Sequence, residues 1–435
     1  MAEGRIVVGI DIGTSKIVTI IAKIDDPANI NVLGVSEVKS AGIRKGQIVD
    51  IEEAVGSINS SLEAAERMAG YSASHVIASI GGNHIESLNS KGVVAVSTPE
   101  GEIIRNDLTR VIDAARAISL SSSREIIHVL PRNYSVDGQE GIKDPIGMTG
   151  IRLEVDTHLI TANAISLRNI EKSLSEVGVD LDALVFSGYA SSLSVLSETE
   201  KELGVVLVDI GAGTTDICVY ADGSLSYSSV LPIGARHITN DLAIGLRVSL
   251  ESAEKIKLFL SKGEKNKINV VSGDHGELLE KNALKKTDEM DLGELGLAEE
   301  VRHVSKKTLI DGIIRPRLNE IFTMVGLELK KSGFAGQTPA GLVVTGGGAR
   351  TVGVSDCAKR MLAMPVRIGF PTGMKGIIDE IQDPAFSTAI GLTIYGSKIE
   401  SSQVLPFGFS MPNVPFLRFG KFSNKIIDFI KSFIP

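Results

Sequence analysis

Apolar and polar positions alternate along RIVVGIDIGTSKIVTIIAKI (Arg5 to Ile24), break at a short polar turn and resume, which is the two-residue period of a strand, turn and strand. The pattern returns in GVVLVDIGAGTTDICVYADG (Gly204 to Gly223), with its aspartate 198 positions after the first. A third alternating segment follows each hairpin, NINVLGVSEVKS and SLSYSSVLPIGA, and helical spacing of apolar residues comes next. This order, met twice, predicts two related α/β domains facing each other. His84 to Asn163 breaks the first repeat with enough strand and helix pattern for a small α+β insertion. A more charged insertion, from about Ser249 to Lys307, is expected at the corresponding point of the second. GLVVTGGGART (Gly341 to Thr351) then reads as a buried strand, a triple-glycine turn and a helix, and SSQVLPFGFSMPNVPFL as a Pro-containing linker.

Length and composition narrow the class. At 435 residues, 43% hydrophobic and 23% charged, the chain has the profile of a globular protein of several subdomains. Its net charge of −8 gives no basic excess for displacing counterions from phosphates, so no nucleic-acid partner is expected. Cys218 and Cys357 are too few for a disulfide framework or a four-ligand zinc site, and are read as buried thiols. The charged start runs directly into a strand without a leader pattern, and no stretch reaches the ~18 apolar residues of a membrane span. A cytoplasmic protein is expected.

The glycine-rich turns carry the chemistry. Glycine lets the main chain approach an anion closely, so that backbone N–H groups converge on it. In DIGTSK the groups around Gly13, Thr14 and Ser15 are candidates to wrap a phosphate with Lys16 as charged partner; in DIGAGTTD those around Gly211, Ala212, Gly213 and Thr214 face it from the other side. Asp11 and Asp209 sit at the loop mouths, where a carboxylate beside a polyphosphate holds Mg²⁺, often through water. In TGGGAR, Gly346, Gly347 and Gly348, with Ala349 after them, form a flat backbone that can pass under a purine or ribose. No GxGxxG fingerprint with its downstream acid and no GxxxxGK[ST] occurs, which disfavours dinucleotide and P-loop sites. The three loops together predict a nucleotide.

VVGIDIGTSK, VVLVDIGAGTTD and VVTGGGAR, in this order, resemble the phosphate and adenosine loops of the actin, Hsp70 and sugar-kinase superfamily. HVLPRNYSVDGQEGIKDPIGMTGIRLEVDTHLIT, FSGYASSLSVL and FSTAIGLTIYG resemble more closely the FtsA family of bacterial actin-like cell-division proteins, over nearly the whole chain. The resemblance implies duplicated ribonuclease-H-like domains of the actin kind with two inserted subdomains and a C-terminal amphipathic helix. The implied boundaries are 1–83, 164–199 and 372–399 for the first domain and 84–163 for its insertion. They are 200–248 and 308–371 for the second domain, 249–307 for its insertion, 400–416 for the linker and 417–435 for the helix. It implies an ATP-binding, self-assembling protein that tethers the division tubulin FtsZ to the cytoplasmic face of the inner membrane and contacts other division proteins. Asp11, Gly13, Thr14, Ser15 and Lys16 match the first phosphate loop, and Asp209, Gly211, Ala212, Gly213, Thr214, Thr215 and Asp216 the second. Glu254 and Lys257, one helical turn apart, match a pair flanking adenine and ribose in relatives. For hydrolysis, Asp156 and His158 in EVDTHLIT are the weak candidates for orienting water, neither in an obvious Gln or Glu position, and slow or absent turnover is expected. A small-molecule kinase and a pilus-assembly adaptor of the same superfamily are the alternatives.

The C-terminal segment FLRFGKFSNKIIDFIKSFIP separates these readings. On a helical wheel Phe419, Phe422, Ile426, Ile427, Phe429, Ile430, Phe433 and Ile434 share an arc of about 160°, opposite Lys421, Lys425 and Lys431. Arg418 and these lysines against Asp428 give a local +3 on a chain whose remainder is −11. Such a helix is too short and charged to span a bilayer and suits an in-plane position on anionic lipid, with ~1 kcal/mol per basic residue. A core helix is the competing reading.

Overall fold

A computed structural model describes residues 4–26, 29–98, 100–268, 288–299, 303–376 and 381–399, all within one compact unit, Met1–Val404. The expected linker 400–416, the helix 417–435 and much of the second insertion, 269–287, lie outside the described residues.

The first alternating pattern becomes a hairpin: Arg5–Ile12 pairs antiparallel with Lys16–Asp26, from Arg5 opposite Ile24 to Ile12 opposite Ile17. Asn29–Lys39 adds antiparallel on one side, while His75–Ile80 and then Asp180–Phe186 add in parallel on the other. The second repeat does the same. Val205–Ile210 pairs antiparallel with Thr215–Ala221 and that strand with Ser224–Leu231, while Leu342–Thr345 and Val366–Ile368 extend the far side in parallel. Two sheets with one strand order and one set of polarities confirm the duplication. The short strand Met374–Gly376 extends the first sheet beside Asn29–Lys39.

Local sequence explains how helices seat on these sheets. Ile51–Ala69 starts where the Asp50 carboxylate accepts the Glu53 N–H and stops at Gly70, whose φ of 65° is a left-handed cap. It presses on the third strand at Gly34, where a Cβ would lie 2.4 Å from the Ala65 carbonyl oxygen. Apolar residues of both domains share one core, in which Leu207, Cys218 and Tyr220 of the second meet Ile80, Leu184 and Phe186 of the first. Helices Ser187–Val195 and Ser387–Lys398 cross at Gly391, where any Cβ would overlap the Ala190 carbonyl.

The first insertion is a four-stranded antiparallel sheet in the order Glu86–Ala95, Arg152–Asn163, Arg124–Val136 and Gln139–Ile142, covered by helix Arg105–Arg116. Ile103, Val111, Ala115, Leu153 and Val155 give it a core of its own. It enters after the fourth strand of the first sheet. The second insertion instead enters between the third and fourth strands of its sheet, after helix Ala235–Leu246, so the two do not occupy corresponding connections as expected. The first insertion also meets the edge strand Ser224–Leu231 through polar groups: the Ser87 hydroxyl donates to the Ser228 carbonyl (2.7 Å) and the Asn89 amide to that of Ser226 (3.2 Å). Among the described residues no helix is long and apolar enough to cross a membrane, and both cysteines are free and buried.

Candidate functional site

Each hairpin closes its turn with the same bond. The Gly13 N–H donates to the Lys16 carbonyl at 3.1 Å, and the Gly211 N–H to that of Thr214 at 2.9 Å. The loops face one another, and a Cβ on Gly213 would sit 3.0 Å from the Thr14 side chain. The third loop completes the arrangement: Gly346, at φ 82°, comes so close to the second that a Cβ there would lie 2.0 Å from Asp209 Oδ1. They enclose an open cleft between the two hairpins and the third loop. Asp11, Gly13, Thr14, Ser15, Lys16, Asp209, Gly211, Ala212, Thr214, Asp216, Gly346 and Gly347 line it, all of them expected from the sequence.

The other expected residues lie behind this lining. Thr215 is buried and donates to the Ile233 carbonyl (2.8 Å), bracing the second loop. Gly348 allows the third loop to pack on Ile210, where a Cβ would lie 2.4 Å from its side chain, and Ala349 is buried beside it. Glu254 and Lys257 form the expected one-turn pair at 2.7 Å and share the Thr239 hydroxyl, but neither lines the cleft.

Three carboxylates dominate the electrostatics. Asp11 accepts from the Ser79 hydroxyl (2.8 Å), Asp209 from Ser191 and Thr388, and Asp216 from Ser187 (2.5 Å). Burial raises the Asp11 pKa against the pull of Ser79 and Lys16. Burial, reinforced by the negative charge of Asp11, pushes Asp209 up to about 6. Burial, with Asp209 and Asp11 nearby, pushes Asp216 up to about 8. The second Asp216 oxygen is buried without a hydrogen-bond partner. Such a cluster suits a cation or proton donors on a ligand. Among the described residues no three acidic, His or Cys side chains form a ready-made metal cage, so a divalent ion here would draw on water and ligand oxygens, as Mg²⁺ does. Lys16 is held at 2.7 Å by Glu37 and lies 4.2 Å above the Phe386 ring.

Asp156 and His158 are not brought to the cleft. They lie on the insertion strand Arg152–Asn163, where the sheet register directs His158 to the seam with the second domain. Its ring bonds Asn89 (2.8 Å) and Ser228 (2.9 Å), and burial lowers its pKa to about 3, keeping it neutral. It is a core histidine with satisfied hydrogen bonds, and Asp156 shares its strand. The cleft instead presents Ser79, Ser187 and Thr388, and helix Ser187–Val195 offers Ser187 to Asp216 and Ser191 to Asp209. The four-residue spacing of those hydroxyls in FSGYASSLSVL is the sequence signal for this arrangement.

Comparison with known proteins bears on the whole chain. A family model described as "SHS2 domain inserted in FTSA" matches residues 82–161, and one described as "Cell division protein FtsA" matches 206–391. The cell division protein FtsA of Pseudomonas aeruginosa is 37% identical over 92% of this chain and 91% of its own. That of Escherichia coli is 34% identical over 91% of each. Among solved structures, the PilM–PilN type IV pilus biogenesis complex aligns with a TM-score of 0.62 at 15% identity, covering 90% of this chain and 99% of that one. MreB5 of Spiroplasma citri bound to ADP aligns at 0.50 and 14%, covering 90% and 96%. These structures share the actin-like fold. With its insertion matched by the family's own and its identity to curated relatives sustained across both domains, the chain belongs to the FtsA family of cell-division proteins.

Proposed function

We propose that this cell-division protein binds ATP with Mg²⁺ in the cleft, assembles into filaments, and tethers FtsZ to the cytoplasmic face of the inner membrane at the septum, recruiting further division proteins. The observation that carries the nucleotide reading is the convergence of three glycine turns on one cleft lined by Asp11, Asp209 and Asp216. Backbone N–H groups of the first two turns would bind the phosphates, while Gly346 and Gly347 would offer a flat surface to the nucleoside. Asp11 and Asp209 would hold Mg²⁺ through water, and the ion would offset charge on the phosphates. MreB5 bound to ADP, of the same fold, supports a nucleotide in such a cleft.

Turnover is slow in this reading. In this reading Asp216, with Ser187 fixing one of its oxygens, is the carboxylate that would act on water. At about 8 its pKa leaves it mostly protonated at neutral pH in the nucleotide-free protein, a poor starting state for a general base. A steady-state ATPase rate in the ordinary kinase range of ~1 to 100 s⁻¹ contradicts this part.

The membrane role is supported by the sequence of the tail, whose apolar arc opposes basic residues. Avidity in a filament strengthens a weak in-plane helix. In liposome co-sedimentation, Phe422→Glu with Phe429→Glu is expected to abolish binding to anionic vesicles while leaving ATP binding intact; a chain truncated after Gln403 should behave likewise. Equal pelleting of the full and altered chains overturns the tether. For the partner, a peptide of the acidic FtsZ C-terminal tail should retain the full chain in a pull-down. Retention no greater than by a scrambled peptide removes FtsZ from the proposal.

A further inference from the structure

We infer that Lys45 is a ligand for the terminal phosphate of the bound nucleotide, an assignment that rests on the nucleotide reading above. Ile43–Arg44 and Gln47–Ile48 form a miniature hairpin in which Arg44 pairs with Gln47, so Lys45 and Gly46 are its two turn residues. Their φ values, 50° and 73°, are both left-handed. Two such residues are the signature of a tight hairpin turn, and at the first of them a side chain like lysine is disfavoured. A residue held there against its preference marks a backbone that its surroundings fix in place.

Those surroundings are the phosphate loops themselves. The Gly46 N–H donates to the Thr14 hydroxyl of the first loop at 3.0 Å, and Gly46 lines the cleft. It lies flat against Gly82, whose backbone nitrogen a Cβ on Gly46 would meet at 2.7 Å. The Gln47 amide donates to Asn83 (3.0 Å) and secures the hairpin's return strand. On the other side, a Cβ on Gly213 of the second loop would lie 3.1 Å from the Lys45 Cα. The hairpin tip therefore touches one phosphate loop from each domain.

Charge balance gives the lysine its role. The cleft is lined by Asp11, Asp209 and Asp216, and its one lining cation among the described residues, Lys16, is paired with Glu37. A nucleoside triphosphate adds several negative charges, the largest density on its terminal phosphate. Lys45 is exposed, and among the described residues its ammonium makes no ion pair, so its long flexible stem can bring charge to the loops on which its backbone rests. Arg236 is the competing cation; its backbone N–H donates to the Ala212 carbonyl of the second loop (2.9 Å).

The test is calorimetric titration of the full chain with MgATP and MgADP. Lys45→Gly keeps the left-handed turn and deletes the ammonium, whereas Lys45→Ala deletes it at the cost of some backbone strain. Both are expected to weaken ATP about 10-fold while changing ADP less than about 2-fold, and Lys45→Arg to recover most of the loss. Arg236→Ala is expected to leave the ATP to ADP ratio unchanged. An unchanged ratio in Lys45→Gly, or its loss in Arg236→Ala instead, overturns the assignment to Lys45 while leaving the nucleotide reading standing. A wild-type chain that binds neither nucleotide overturns both.

Discussion

Replacing Gly346 by valine will abolish nucleotide binding. The residue adopts φ 82°, and a Cβ would lie 2.0 Å from Asp209 Oδ1 and 2.7 Å from the Ile210 carbonyl oxygen, so the third loop must withdraw from the second. Backbone at φ 82° and ψ 172° costs a branched residue roughly 1–3 kcal/mol and the overlap a further ~1–3 kcal/mol. The collision partner matters more than the sum, because Asp209 is fixed by Ser191 and Thr388 and lines the cleft. Moving it disturbs the nucleoside surface and a candidate Mg²⁺ carboxylate together. A loss of affinity of at least about 100-fold is expected, roughly 3 kcal/mol. The controls are Gly56→Ala, on helix Ile51–Ala69 outside the cleft lining, whose Cβ would meet nothing within 4 Å, and a thermal melt to confirm that the fold persists. Comparable weakening by both substitutions contradicts the geometry.

Asp216→Asn will stabilise the nucleotide-free protein at alkaline pH. The folded-state pKa of Asp216 is raised to about 8 from 3.8, by burial first and by Asp209 second. A raised carboxyl group binds its proton more tightly in the folded chain than in the unfolded one. Its ionisation therefore costs nothing below pH ~4, and the cost grows as pH rises, reaching its full value near pH 8. The slope is about 1.4 kcal/mol per unit, so the full difference is of order 6 kcal/mol. Asparagine is isosteric, can still accept from Ser187 and carries no charge. Melting curves in EDTA at pH 5 and pH 8 should show the variant gaining several degrees over the wild type at pH 8 relative to pH 5. Parallel pH dependence of the two proteins contradicts the burial of a strained carboxyl at this site.

Much of the fold was legible because its repeating unit has a strict two-residue period and ends in glycine turns, which few other structures require. The same glycines disclosed the cleft, and Gly13, Gly211 and Gly346 now have particular close approaches to account for them. The position of the second insertion was not legible. Segment order alone does not say whether a helix precedes the fourth or the fifth strand of a sheet, which depends on parallel pairing between Val206 and Leu342, far apart in the chain. Asp156 and His158 were candidates because the resemblance implies a water-orienting side chain in the segment linking the domains, yet the register assigns His158 to an interdomain seam. Ser187, Ser191 and Thr388 escaped notice for the opposite reason: small hydroxyl residues on an apolar helix read as packing residues until a carboxylate is found beside them. Lys45 was hidden because positive φ at a non-glycine residue has no sequence signature of its own.

Titration of the full-length chain with ATP in the presence and absence of Mg²⁺ tests the central claim most directly. Saturable one-to-one binding is predicted, weakened when Mg²⁺ is removed by EDTA and abolished in Gly346→Val. No saturable binding by the wild type, or equal binding by the Gly346→Val chain, contradicts a nucleotide cleft built from these three loops.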